Sequence, residues 1–109
     1  MTDKETEEKI EKMQLLEQNL QNFLVQRQTF QGQLLEVESA IEELDKTEKV
    51  YRIIGNIMVM SKKDELKKDL SQKKEMLQLR IKSLERQEEK IREKVQETRN
   101  DVLKKMKKE

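Results

Sequence analysis

The sequence predicts a mainly α fold in which two long helices form an antiparallel coiled-coil hairpin, joined by a short β-hairpin expected to oligomerise into an intermolecular sheet or β-barrel. Three observations carry this. Each half of the chain holds two apolar rows at heptad spacing, a single β-forming segment separates the halves, and all of these features share one mirror point. Helices are expected over about residues 3–45 and 62–107, with the hairpin at about 49–60, the whole forming one domain over residues 1–109.

In the first helix one row reads Met13, Leu20, Arg27, Leu34, Ile41 and the other Leu16, Phe23, Phe30, Val37, Leu44. Alternating steps of three and four place both rows on the seam of a left-handed coiled coil. Thr2 with Glu5 offers a capping box at the start, and Asp45-Lys46-Thr47 offers a polar connection at the end. Gly32 lies off the seam, where it costs about 1 kcal/mol relative to Ala.

The middle segment, Val50-Tyr51-Arg52-Ile53-Ile54-Gly55-Asn56-Ile57-Met58-Val59-Met60, is rich in β-branched residues and holds the sole Tyr. Gly55-Asn56 fits a two-residue type II′ turn, in which glycine supplies the positive φ at the first position. Folding the chain there pairs residues whose numbers sum to 111. Carried outward, that register sets Ile41 against Leu70, Leu34 against Leu77, Leu20 against Ile91 and Leu16 against Val95.

The second helix has the rows Leu70, Leu77, Leu84, Ile91, Thr98 and Lys67, Lys74, Ile81, Glu88, Val95, Val102, with Ser61 and Asp64 as a variant capping box. Arg27 and Glu88 interrupt otherwise apolar rows in adjacent layers. The sequence leaves two readings open for them: an ion pair that fixes register, or an arginine that snorkels into water. Helices of more than 40 residues give an arm of about 60–65 Å.

Composition narrows the function. Hydrophobic residues make up 33% and charged residues 43%, too lean for a globular core and typical of a coiled coil. With no Cys and no His, neither thiolate nor imidazole chemistry is available, and no cofactor or metal site is expected. The carboxylates follow solvent faces, and no Gly-rich phosphate loop is present, so no enzyme is expected. The acidic N-terminus shows no signal-peptide pattern and no apolar run approaches membrane-spanning length, which points to a soluble, cytoplasmic protein without a membrane partner. Residues 1–47 carry 11 acidic and 5 basic side chains, whereas residues 48–109 carry 12 and 19. Helices of opposite sign favour pairing with each other over self-pairing.

Two interaction sites emerge. The hairpin strands are apolar on both faces, with Tyr51, Ile53, Ile57 and Val59 on one and Val50, Ile54, Met58 and Met60 on the other. One subunit cannot cover both, so these eight residues are assigned to oligomerisation. The second site is the end where the termini meet. Ile10, Met13, Leu15, Val102, Leu103 and Met106 would form an incompletely covered apolar tip suited to varied partners. Ordinary end-fraying explains the same residues equally well. Lys104, Lys105, Lys107 and Lys108 complement the helix macrodipole. Nucleic-acid binding is not expected, since it would want more net positive charge than +1.

The run from Val50 to Val59 at the bend resembles prefoldin, and specifically its β-class subunits, with supporting matches at Lys63, Leu66, Leu70, Leu77, Arg80, Leu84 and Arg86-Gln87-Glu88. The single hairpin points to the β class, and the Lys/Glu-rich, simple architecture to an archaeal member. That resemblance implies a hexamer of two α-class and four β-class subunits built on β-barrels. It further implies an ATP-independent holdase that captures non-native proteins at coiled-coil tips and passes them to a group II chaperonin. Two rival readings stay open: a structural coiled-coil spacer or adaptor with an inert tip, and a basic nucleic-acid-binding coiled coil.

Overall fold

The computed structural model describes residues 3–108, with the backbone alone at Lys108. The element order is α1 (Lys4–Lys46), β1 (Val50–Ile54), β2 (Ile57–Ser61) and α2 (Lys63–Lys108), within a residue or so of the expected boundaries. Contacts divide the chain into two compact units, residues 1–28 with 82–109 and residues 29–81.

In the unit of residues 29–81, the hairpin has the expected register. The pairs run from Val50 with Ser61 to Ile54 with Ile57, and their residue numbers sum to 111 throughout. Gly55 has a φ of 61°, and among the described residues no non-glycine residue, Asn56 included, has positive φ. Positive φ at the first turn position alone is the II′ pattern. The faces differ from expectation. Cross-strand partners share a face, so Tyr51, Ile53, Met58 and Met60 lie together, opposite Val50, Arg52, Ile54, Ile57, Val59 and Ser61. Parity of residue number reverses across the turn because the paired numbers sum to an odd value.

The helical part of this unit buries Val37, Leu44, Leu77 and Ile81, all on the heptad rows, and Val50 is buried at the hairpin base beside Leu44, Leu66 and Leu70. The guanidinium of Arg80 lies 5.5 Å from the centroid of the Phe30 ring, a cation–π contact beside the seam. Lys67 is exposed and donates to Asp45 Oδ1 at 2.9 Å, so this polar member of the row meets its partner at the seam's wet margin. That bond, more than the attraction of the Lys67 charge, holds the Asp45 carboxyl below its ordinary range. The helix α1 closes with Thr47, whose hydroxyl donates to the Glu43 carbonyl and whose N–H donates to that of Leu44. Two orphan carbonyls are thereby satisfied. Ser61 does not cap α2: it is the last ladder residue, and the Lys62 carbonyl accepts the first helical bond, from Leu66.

In the unit of residues 1–28 and 82–109, Leu84, Val95 and Val102 are buried, and Met13, Leu16, Leu20, Phe23 and Ile91 are half-buried. Thr2, to which the capping box is assigned, lies outside the described residues. The cap is Asp3, whose Oδ1 accepts the Thr6 N–H at 2.8 Å. Thr6 itself is buried and extends the Met13 row by one heptad.

Opposite signs are expected for two substitutions in the residue 29–81 unit. Leu77→Ala, at a side chain that is 1% exposed, should lower stability by about 2–5 kcal/mol. Gly32→Ala should raise it by about 1 kcal/mol, because a Cβ there meets nothing within 4 Å. Urea denaturation followed by circular dichroism at the helical band measures both.

Candidate functional site

The hairpin presents a bare apolar surface. Tyr51, Ile53, Ile54, Ile57, Met58, Val59 and Met60 are all exposed, Ile53 most of all at 71%, and only Val50 of the eight expected assembly residues is buried. Burial follows the face and the distance from the helices. Val50 at the base packs inward, Arg52 and Ser61 on the same face are half-buried, and Ile54 and Ile57 beside the turn reach into solvent. Arg52 donates from Nη2 to Asp69 Oδ2 at 2.5 Å, tying the inward face of β1 to α2. A shallow apolar depression of about 260 Å³ lies at the hairpin base, lined by Leu44, Val50, Tyr51, Leu66 and Leu70 among others. Each strand has one edge paired and one edge with unused backbone groups. A two-stranded sheet of this kind is marginal in water, so its exposed face and edges favour burial against other strands.

At the paired termini the structure separates the expected tip residues. Ile10, Leu15, Leu103 and Met106 are exposed, Met13 is half-buried, and Val102 is turned into the seam at 7% exposure. Val102 thus contributes to holding the helices together there, not to the open surface. The basic residues also divide. Lys104 and Lys107 are exposed, whereas Lys105 is half-buried and paired with Glu5 Oε2 at 2.7 Å and Asp3 Oδ2 at 3.1 Å; the side chain of Lys108 lies outside the described residues. Lys9 adds contacts to Glu5 at 3.8 Å and Asp101 at 4.0 Å. The clamp of Asp3, Glu5, Thr6 and Lys105 was not anticipated from sequence. The usable signal was spacing, since Thr6 and Lys105 continue the Met13 and Thr98 rows by one heptad.

In the same unit as the termini, Arg27 donates from Nε to Glu88 Oε2 at 2.7 Å. The pairing reading therefore holds over the snorkelling one. The Glu88 side chain is 2% exposed and that of Arg27 21%. The hydrogen bond that Arg27 donates to Glu88 raises the arginine pKa further, against a smaller opposing effect of burial. Glu88 Oε1 is buried with no hydrogen-bond partner among the described residues.

No chemistry of bond making suits these surfaces. Among the described residues no group of three or more acidic side chains is placed to hold a metal ion, and no helix is long and apolar enough to cross a membrane. The geometry defines a class of protein: a non-catalytic helix–hairpin–helix chain with one exposed apolar sheet and one partly apolar helix end.

Comparison with known proteins assigns that class to a family. The family model described as "Prefoldin subunit" matches residues 7–109. A prefoldin subunit beta from Archaeoglobus fulgidus is 42% identical over 96 residues, covering 85% of this chain and 83% of its own. One from Saccharolobus islandicus is 31% identical over 109 residues, covering 93% and 85%. The crystal structure of the prefoldin beta subunit from Thermococcus strain KS-1 superposes with a TM-score of 0.86 at 29% identity, over 92% of this chain and 90% of that one. The chain belongs to the prefoldin family, as a β-class subunit of archaeal type. Members are non-catalytic chaperones, and the general role of holding non-native protein follows for this chain.

Two measurements probe this site. Arg27→Leu leaves a carboxylate buried without its partner and should lower the unfolding midpoint more than Arg27→Leu with Glu88→Leu does, because the double change removes both charges from the seam. For the clamp, the Thr6 N–H bond, the Thr6 hydroxyl and then Lys105 depress the Asp3 pKa from 3.8 to about 2. Bonds to Glu5 and then Asp3 raise that of Lys105. The Asp3 contribution is complete above 3.8 and is lost as pH falls through about 2. That of Lys105 is complete below the ordinary lysine value of 10.5 and is lost as pH rises beyond it. The Thr6 amide resonance should titrate with a midpoint near 2; a midpoint at 3.8 would mean the cap is not formed.

Proposed function

We propose that residues 1–109 act as one prefoldin domain in a hexamer of two α-class and four β-class subunits. Its hairpins assemble a β-barrel platform, and its helix pairs hang from that platform as arms. The complex captures non-native proteins in the cytoplasm without ATP and passes them to a group II chaperonin. The observation that supports this most is the hairpin of a chain matching β-class subunits over nearly its whole length, with seven apolar side chains exposed in an isolated subunit.

Capture is assigned to the tip, where Ile10, Leu15, Leu103 and Met106 are open and Met13 and Val102 support them from the seam. Each contact is weak. Several arms acting on one client raise the effective concentration, so avidity replaces a tight pocket. Flexible Met106 suits clients of varied sequence.

Mixing with an α-class partner tests both assignments. Ile53→Lys with Val59→Lys should keep helical content and abolish the hexamer by native mass. Leu15→Ser, Leu103→Ser and Met106→Ser together should keep the hexamer while suppression of aggregation of an unfolded protein falls severalfold. A hexamer that survives the lysines removes the hairpin from assembly, and full suppression by the serine variant makes the tip inert, as in a structural spacer.

A further inference from the structure

We infer that Met58 and Met60 form a methionine-oxidation site through which peroxide blocks assembly of the free subunit. This rests on the proposal above that the hairpin is the assembly surface.

The chain has no cysteine, so its thioethers are the sulfur groups open to two-electron oxidation. Among the described methionines, Met58 and Met60 are the most exposed, at 66% and 65%, against 53% for Met106 and 47% for Met76, with Met13 half-buried. They are also the two that share one face of one strand. Their ladder partners are Ile53 and Tyr51, so the four side chains make a single outward patch without a charged member. Met60 stands directly opposite Tyr51, the arrangement in which a thioether meets an aromatic ring.

Position decides the consequence. A hydroperoxide transfers one oxygen atom to the thioether: the O–O bond breaks, an S=O bond forms, and water leaves when the oxidant is hydrogen peroxide. Sulfur is oxidised by two electrons, and the two peroxide oxygens take up one each, one ending in the sulfoxide and the other in the water or alcohol that leaves. The product is polar and chiral, and a sulfoxide reductase with a thiol reductant returns it to methionine. At Met76 or Met106, on helix surfaces, that change leaves the seam intact. At Met58 and Met60 it puts two strong acceptors on a face that must lose its water to join other strands, with no donor on that face beyond the Tyr51 hydroxyl. The residues that react are thus the ones assembly hides. Oxidation therefore acts on the unassembled subunit, and an existing complex is protected.

The test treats the free chain with hydrogen peroxide, quenches it, adds an α-class partner, and reads sulfoxide by peptide mass and complex by native mass. A preassembled complex is treated in parallel, together with the double variant Met58→Leu, Met60→Leu. The expected result is sulfoxide at both positions in the free chain with a severalfold loss of complex, little sulfoxide at either in the preassembled sample, and, for the leucine variant measured against its own untreated level of complex, no further loss with peroxide. Reduction of the sulfoxides should restore the complex. The inference is overturned if chains carrying both sulfoxides assemble like untreated ones, or if the leucine variant loses assembly equally, which would place the damage at Met13, Met76 or Met106. Failure of the untreated chain to assemble sinks the hairpin assignment itself, and this inference with it.

Discussion

Val37 and Leu44 on α1, and Leu77, Ile81, Leu84, Val95 and Val102 on α2, are the helices' buried apolar side chains, and every one lies on a heptad row. A chain that is 43% charged has apolar side chains for one narrow seam and little more. Each unit therefore repeats the same solution. Apolar layers are closed at their margins by ion pairs such as Lys67 with Asp45 in one and Arg99 with Glu17 in the other. Exposed pairs of this kind add little stability at ordinary salt. Their consequence is directional, since the acidic half of the chain meets the basic half and self-pairing of either is disfavoured.

A seam this thin makes the Arg27–Glu88 layer costly and informative together. Two hydrophobic residues would bury more comfortably, yet a buried carboxylate with one oxygen bonded to Nε and the other unpartnered tolerates few alternatives. Sliding the helices by a heptad would strand Glu88 among leucines. The apolar layers alone are nearly indifferent to such a shift, because leucine replaces leucine. Register is thus specified at two places by different chemistry, at Arg27 and Glu88 by charge, and at Gly55 by the single positive φ of the hairpin turn.

Those two devices explain what the sequence disclosed. Turn chemistry is local, so Gly55-Asn56 gave the strand pairing residue by residue, and heptad spacing gave both helices. Face assignment failed on the second strand because alternation was continued through the turn, whereas the odd sum of paired numbers sets Met58 and Met60 beside Ile53 and Tyr51. Ser61 looked like a cap because its type favours caps; the ladder bond to Val50 claimed its backbone first. The hairpin surface was legible because no pattern of eight apolar residues on two short strands can be buried by the helices beside them. The tip was legible only in part. Hydrophobicity cannot distinguish Val102 from Leu103, neighbours one of which turns inward and the other outward, and the Asp3–Lys105 clamp joins residues about a hundred positions apart.

The two surfaces differ in how order is imposed on them, and that difference bears on what each can hold. Five ladder pairs, a fixed turn and the Arg52–Asp69 bond leave the hairpin face pre-organised. A partner strand meeting it gives up freedom on its own side only, which suits a unique and lasting interface. At the termini, the buried Val102 and Thr6 are flanked by partly exposed ion pairs around Lys105 and Lys9, which weaken with salt, while Leu15, Leu103 and Met106 stand open to solvent. Exposed side chains of this kind can adapt to many shapes without gripping any of them tightly. On the assignment proposed above, one chain carries a surface suited to a single partner geometry and another suited to partners without a fixed structure. Such a division would serve a holdase, whose platform must persist while its grip must let go.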